Sequence, residues 1–212
     1  MALISCNTLE ELRAHTRLLI NEPVGKSALD DTDDVDRCIN LAIRDIARII
    51  RSYDERAYAT KGDIVLVSGT EFYDLPDDFI KIILIQYKKT GSQEPDKVPA
   101  VDILHKFDVD EISYFLISEG AQMQIGITPI PTTAYTLQLF YYYIPPLLEA
   151  VEDVPDVPED FREAIAYGAA VKLGESLNNP IPQIRDTYVA KVDDIRRHFA
   201  PLQLQNNRSV GG

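Results

Sequence analysis

The stretch Asp63-Ile64-Val65-Leu66-Val67-Ser68-Gly69-Thr70-Glu71-Phe72-Tyr73-Asp74-Leu75-Pro76 decides how the chain is read, because the hydrophobic period changes there. Upstream, Val35, Ile39, Ala42, Ile43, Ile46, Ile49, Ile50 and Tyr53 recur at three- and four-residue steps, which is one buried stripe on a helix. Within the stretch, the β-branched run and the Ser68-Gly69 pair predict two strands joined as a tight hairpin and ended by Pro76.

Working outward, Thr8-Leu9-Glu10-Glu11 reads as a capping box opening a first helix that runs to about Asn21, where Asn21-Glu22-Pro23-Val24-Gly25 stops it. The second helix is expected to begin near Asp31 to Asp34, where acids suit the positive end of the helix dipole, and to run to Tyr53. Beyond the hairpin, strands are expected over Phe79 to Tyr87, Tyr114 to Ile117, Met123 to Ile127 and Tyr135 to Tyr143. A polar loop lies at 90–95, and a short helix over Val101 to Phe107 would put Val101, Leu104 and His105 on one face. Together these make one antiparallel sheet of about five or six strands, with Tyr141-Tyr142-Tyr143 in a central strand covered on both faces. An Ala- and Gly-rich helix follows over Phe161 to Leu177, opened by Pro158 and Glu159. A last one over Pro182 to Phe199 buries Ile184, Tyr188, Val192, Ile195 and Phe199. The expected organisation is α+β: a helical body from 1–58 and 158–199, an inserted antiparallel β region over 59–146, an acidic proline-containing linker over 147–157, and a flexible tail over 200–212.

The chain has 212 residues, 45% of them hydrophobic, with 34 acids against 21 bases and a formal charge of −13. A chain this long buries roughly 70% of its unfolded surface, so neither disulfides nor a metal are required to hold a core. The acidic balance argues against a general grip on nucleic acid, which needs a basic surface. No apolar run approaches a membrane span, and Met1 to Asn7 lacks the basic and apolar regions of a secretory signal. Cys6 and Cys38 form no Cys-x-x-Cys pair, so a reduced, cytosolic site of assembly is expected.

Few motifs carry chemistry. Gly25-Lys26-Ser27 has Ile20 where a phosphate-binding loop needs glycine, and reads as an interhelical turn. His15, His105 and His198 are isolated and read as single surface or half-buried residues, so no metal and no cofactor is expected. No Gly-x-Ser-x-Gly elbow occurs. Carboxylate pairs abound in so acidic a chain, which leaves a soluble carboxylate-dependent hydrolase as the alternative from another class. The clearest surface feature is on the second helix: Arg37, Arg44, Arg48 and Arg51 fall within an arc of about 60° opposite the apolar stripe. Such a row is either a solvated face or a contact with carboxylates of a partner or of an identical neighbour.

The order of these elements resembles the head-to-tail adaptor, or connector, proteins of tailed bacteriophages. The phrases that carry the resemblance are Tyr73-Asp74-Leu75-Pro76-Asp77-Asp78-Phe79, Gly126-Ile127-Thr128-Pro129-Ile130-Pro131, and Tyr141-Tyr142-Tyr143-Ile144-Pro145-Pro146-Leu147-Leu148. They continue with Val157-Pro158-Glu159-Asp160-Phe161 before a helix containing Tyr167, so the resemblance runs from about residue 8 to 199. It implies a structural virion protein, made in the host cytoplasm and placed at the head-tail junction, without catalytic residues. It further implies about twelve copies closing into a homo-oligomeric ring. The partners implied are the portal protein and a tail or nozzle protein, with DNA passing through the lumen unheld and no membrane involved. Another neck or tail-completion ring is the alternative within the class. The tail would dock on the portal through Leu202 and Leu204, on one side of an extended chain, and through Arg208.

Overall fold

The computed structural model describes residues 6–21, 34–87, 94–106, 108, 110–120 and 122–209. The stop signal at 22–25, the Gly25-Lys26-Ser27 turn, the expected helix start at 31–33 and most of the 90–95 loop lie outside the described residues. The fold is α+β, with four helices and antiparallel sheets among the described residues. The chain forms two compact units, Met1–Tyr58 with Ile144–Gly212, and Ala59–Tyr143.

The first unit is helical. Helix α1 (Leu9–Leu19) starts at the expected capping box: the Glu11 amide donates to Thr8 Oγ1 and the Thr8 amide donates to Glu11 Oε2, both at 3.3 Å. Helix α2 (Asp36–Tyr53) buries Ile39, Ala42, Ile43, Ile46 and Ile50 along the predicted stripe. Helix α3 (Glu163–Ser176) packs against α1, α2 and α4, and its small residues explain how one helix serves three neighbours. At Gly168 an added Cβ would come within 3.1 Å of Ala42 Cβ and 2.9 Å of the Tyr188 ring, so α2, α3 and α4 meet at a point that admits no side chain. Asn178, at φ 54°, turns the chain out of α3.

Helix α4 spans Pro182–Ser209 and buries Ile184, Val192, Ile195 and Phe199, with Tyr188 half-buried. The expected flexible tail of 200–212 begins inside this helix, which continues ten residues past Phe199 to Ser209; residues 210–212 lie outside the described residues. Pro201 falls inside this helix, where it has no amide to donate to the carbonyl four residues earlier.

The linker back from the β unit is tied down at several points. The amides of Leu9 and Glu10, unpaired donors of the first turn of α1, donate to the carbonyls of Asp153 (2.9 Å) and Val151 (3.1 Å). The Asp153 carboxylate accepts from the amides of Glu149 (2.8 Å) and Ala150 (2.9 Å), and these bonds hold its pKa below the usual carboxylate value. Tyr58 Oη donates to the Asp156 carbonyl at 3.0 Å.

Among its described residues the second unit has seven strands: β1 (Ala59–Leu66), β2 (Phe72–Asp74), β3 (Phe79–Tyr87), β4 (Asp96–Lys97), β5 (Ser113–Glu119), β6 (Gln122–Thr128) and β7 (Tyr135–Tyr143). They form two antiparallel sheets and not the single sheet expected: one in the order β1-β7-β3-β4, the other β2-β6-β5. Ile64, Leu66, Ile85, Leu137 and Leu139 from the first sheet share one core with Ile125 and Ile127 from the second. β7 is an interior strand of its sheet, and Tyr141 and Tyr142 are buried on its two faces; the expected cover on both faces is limited to this end, because Thr136 and Gln138 are exposed.

The expected hairpin does not form. Gly69, at φ 81°, makes the turn, but β1 pairs with β7 and β2 pairs with β6. The turn is anchored elsewhere, with the Gly69 amide donating to the Pro131 carbonyl at 2.8 Å and Ser68 Oγ to the Thr132 carbonyl at 2.9 Å. It is a corner at which the chain changes sheets. The expected helix at 101–107 is reduced to a single 3-10 turn, Ile103–His105, capped by Asp102, and Leu104 is 82% exposed instead of facing a core.

Candidate partner-binding groove

Helical spacing alone places Arg37, Leu41, Arg44 and Arg48 on the outer face of α2, since they stand three or four residues apart and avoid the buried stripe. Arg37, Arg44 and Arg48 are exposed; Arg51, the fourth residue of the predicted row, is half-buried. Asn40 lies at the edge of this face. Its Nδ2 donates to the Leu148 carbonyl at 3.1 Å, and its Oδ1 accepts from the Leu148 amide at 2.8 Å. The side-chain amide thus pairs with the linker backbone as a neighbouring strand would, using both its donor and its acceptor.

That pair of bonds makes a groove between α2 and the linker. It encloses about 550 Å³ and is lined by Asp36, Arg37, Asn40, Leu41, Arg44 and the stretch Leu147 to Glu149. Leu148 turns inward and is 4% exposed, whereas Leu41 and Leu147 present 40% and 46% of their surfaces. Asp36 is engaged by Arg13, whose Nε and Nη2 donate to its two oxygens at 2.6 and 2.5 Å. Arg48 pairs with Asp45 at 3.6 Å, and Asp45 is shared with Lys172 at 2.7 Å. Among the described residues, neither Arg37 nor Arg44 has an ion-pair partner. The groove therefore offers an apolar floor between two guanidinium forks, an arrangement suited to a segment carrying both carboxylates and an apolar side chain.

Asn40 is the residue that sequence reasoning missed. A short polar amide inside a helix is a weak helix former and a signal that its side chain has local or tertiary work. Leu202, Leu204 and Arg208 fall in the last stretch of α4, so the extended arm expected to carry them is helical.

One further pair bears on chemistry. Cys6 Sγ lies 3.2 Å from His15 Nδ1, which places a thiol beside a base and corrects the expectation of a surface or half-buried His15: it is buried, against the edge of the Tyr167 ring. Burial, followed by the nearby Glu163 and Glu11 carboxylates, pushes the Cys6 thiol up to about 11, and burial pushes His15 down. Both groups are therefore neutral near pH 7, the opposite of a thiolate–imidazolium pair. Cys38 is also buried, with its pKa raised by burial. Among the described residues, no cluster of three or more His, Cys, Asp or Glu is placed to hold a metal ion, and no helix is long and apolar enough to cross a membrane.

The family model of the SU10 adaptor protein matches residues 7–207, and the chain belongs to that family of phage adaptor proteins. No curated protein matches it.

Proposed function

We propose that this member of the SU10 adaptor family assembles into a closed ring under the portal of a phage head, joins the portal to the tail or nozzle protein, and leaves a channel for DNA. The observation that carries this reading is the family match, which runs over residues 7–207 and so includes both the helical and the β unit. Charge supports it: with a net −13 per copy, a ring of about twelve copies presents repulsion and not attraction to a passing phosphate backbone. The role is structural, without a catalytic step, and a membrane has no part in it. Within it, Arg37, Arg44, Arg48 and Arg51 form a contact between subunits or with the portal, and the end of α4, with Leu202, Leu204 and Arg208, docks on the portal.

Negative-stain imaging of the purified protein, alone and mixed with the portal of its own phage, tests the reading. Rings of uniform diameter, or a ring-shaped layer added to the portal, are expected. A protein that stays monomeric at high concentration and leaves the portal unchanged overturns it. Deleting residues 201–212 should lower attachment to DNA-filled heads while the melting temperature of the remaining chain stays close to that of the full protein. A truncated chain that attaches normally places docking in the folded body.

A further inference from the structure

The stretch Glu149 to Asp160 holds six acids and no base. Part of it forms a fixed knob. Val151 and Asp153 are clamped through their carbonyls to the first amides of α1, and the Asp153 carboxylate closes a tight turn over Glu149 and Ala150. The side chains left outward are Val151 (47% exposed), Glu152 and Val154 (54% exposed). The knob is thus an acid between two valines. The groove is its complement, with Arg37 and Arg44 flanking exposed Leu41 and Leu147. Both are fixed before any contact forms, the knob by α1 and the groove by Asn40, so little ordering entropy opposes their meeting.

The two features belong to the same helical unit, and the hydrogen bonds of Asn40 to Leu148 and of Leu9 and Glu10 to the linker pin the stretch that carries the knob. A chain therefore keeps its own knob out of its own groove. We propose that the groove receives a second copy of this chain, with Glu152 of the incoming copy held between Arg37 and Arg44 and its Val151 and Val154 covering Leu41 and Leu147. This rests on the ring reading above and names the surface through which copies meet. Charge complementarity selects the occupant: the knob supplies a carboxylate to two guanidinium groups that have no ion-pair partner among the described residues, and exposed apolar side chains lie on each side.

A charge swap tests it. Arg44→Glu and Glu152→Arg each reverse one side of the contact at an exposed position, and circular dichroism and melting curves should match those of the unaltered protein. Each single variant should raise the concentration for half-assembly, measured by light scattering after size exclusion, by roughly tenfold or more. The double variant should recover most of that loss. As an independent measure, Leu41→Cys and Val154→Cys in one chain should give disulfide-linked oligomers under mild oxidation, and either change alone should not. Single variants that assemble like the unaltered protein, or a double variant no better than the singles, overturn the proposed contact while the ring stands. An unaltered protein that assembles neither alone nor on the portal overturns both readings.

Discussion

The ring of Phe115 lies directly over the Cα of Gly126, its register partner across β5 and β6. Phe115 is 3% exposed, with the Phe72 ring edge-on at 6.1 Å and Lys106 Nζ at 5.2 Å from its centroid. The glycine is the space in which the aromatic ring packs, and any Cβ there would fall on ring atoms. Gly126→Ala is expected to destabilise the β unit by about 1–3 kcal/mol, through overpacking. Adding Phe115→Leu should recover part of that loss. The chain has no tryptophan, so urea unfolding would be followed by tyrosine fluorescence and circular dichroism.

Arg13 and Asp36 form a bidentate pair in which the side chains are 18% and 8% exposed. Arg13→Ala strands a buried carboxylate and should cost about 3 kcal/mol in urea unfolding. Arg13→Lys, which lacks the fork, should fall between the two. Replacing the pair by Arg13→Met with Asp36→Leu should come closer to the unaltered stability than Arg13→Ala does, since no charge is then left buried alone.

The Cys6–His15 pair gives stability a plateau bounded on both sides. His15 has its pKa lowered in the folded state, so its contribution is complete above 6.5 and is lost as pH falls below that value, where the unfolded chain takes up the proton first. Cys6 has its pKa raised from 9.0 to about 11, so its contribution is complete below 9 and is lost between 9 and 11. The tyrosines Tyr114, Tyr135, Tyr141 and Tyr188 are raised by burial and add to the loss above 10. His15→Gln should flatten the acid side of the stability profile, and Cys6→Ser the slope between pH 9 and 10. Denaturant midpoints taken across pH check both.

Asn40 can be tested without touching the arginines. Asn40→Ala loses two hydrogen bonds to Leu148 and should cost roughly 1–2 kcal/mol. It should also speed hydrogen exchange of the Leu148 amide. Asn40→Asp keeps an acceptor for that amide and loses the donor, so its exchange should stay slow while stability falls by a smaller amount.

What was legible in the sequence was what neighbours in the chain decide. Thr8 and Glu11 announce α1 because both partners of the capping box sit within one turn, and the α2 stripe follows from spacing alone. The exposure of Arg37, Arg44 and Arg48 comes from the same spacing. Ser68-Gly69 announces a turn correctly and says nothing about which strands pair beyond it, because the partners of β1 and β2 lie in β7 and β6. Asn40 meets Leu148 at a separation of 108 residues, so the groove has no local signature. His15 reads as a surface or half-buried residue because its burial depends on Tyr167, which α3 brings against it.

Ala59 and Tyr142, at the two ends of the β unit, are register partners in adjacent strands, which sets the entry and exit of the whole insertion about 5 Å apart. To the helices, an insertion of that kind is a loop whose ends already touch, and doubling the length of such a loop adds only about 0.6 kcal/mol of closure entropy. The β unit is therefore a cassette. Lengthening or shortening it between those two residues is expected to leave the helical unit folded. In the laboratory the same junction is the place to graft a foreign domain onto this scaffold.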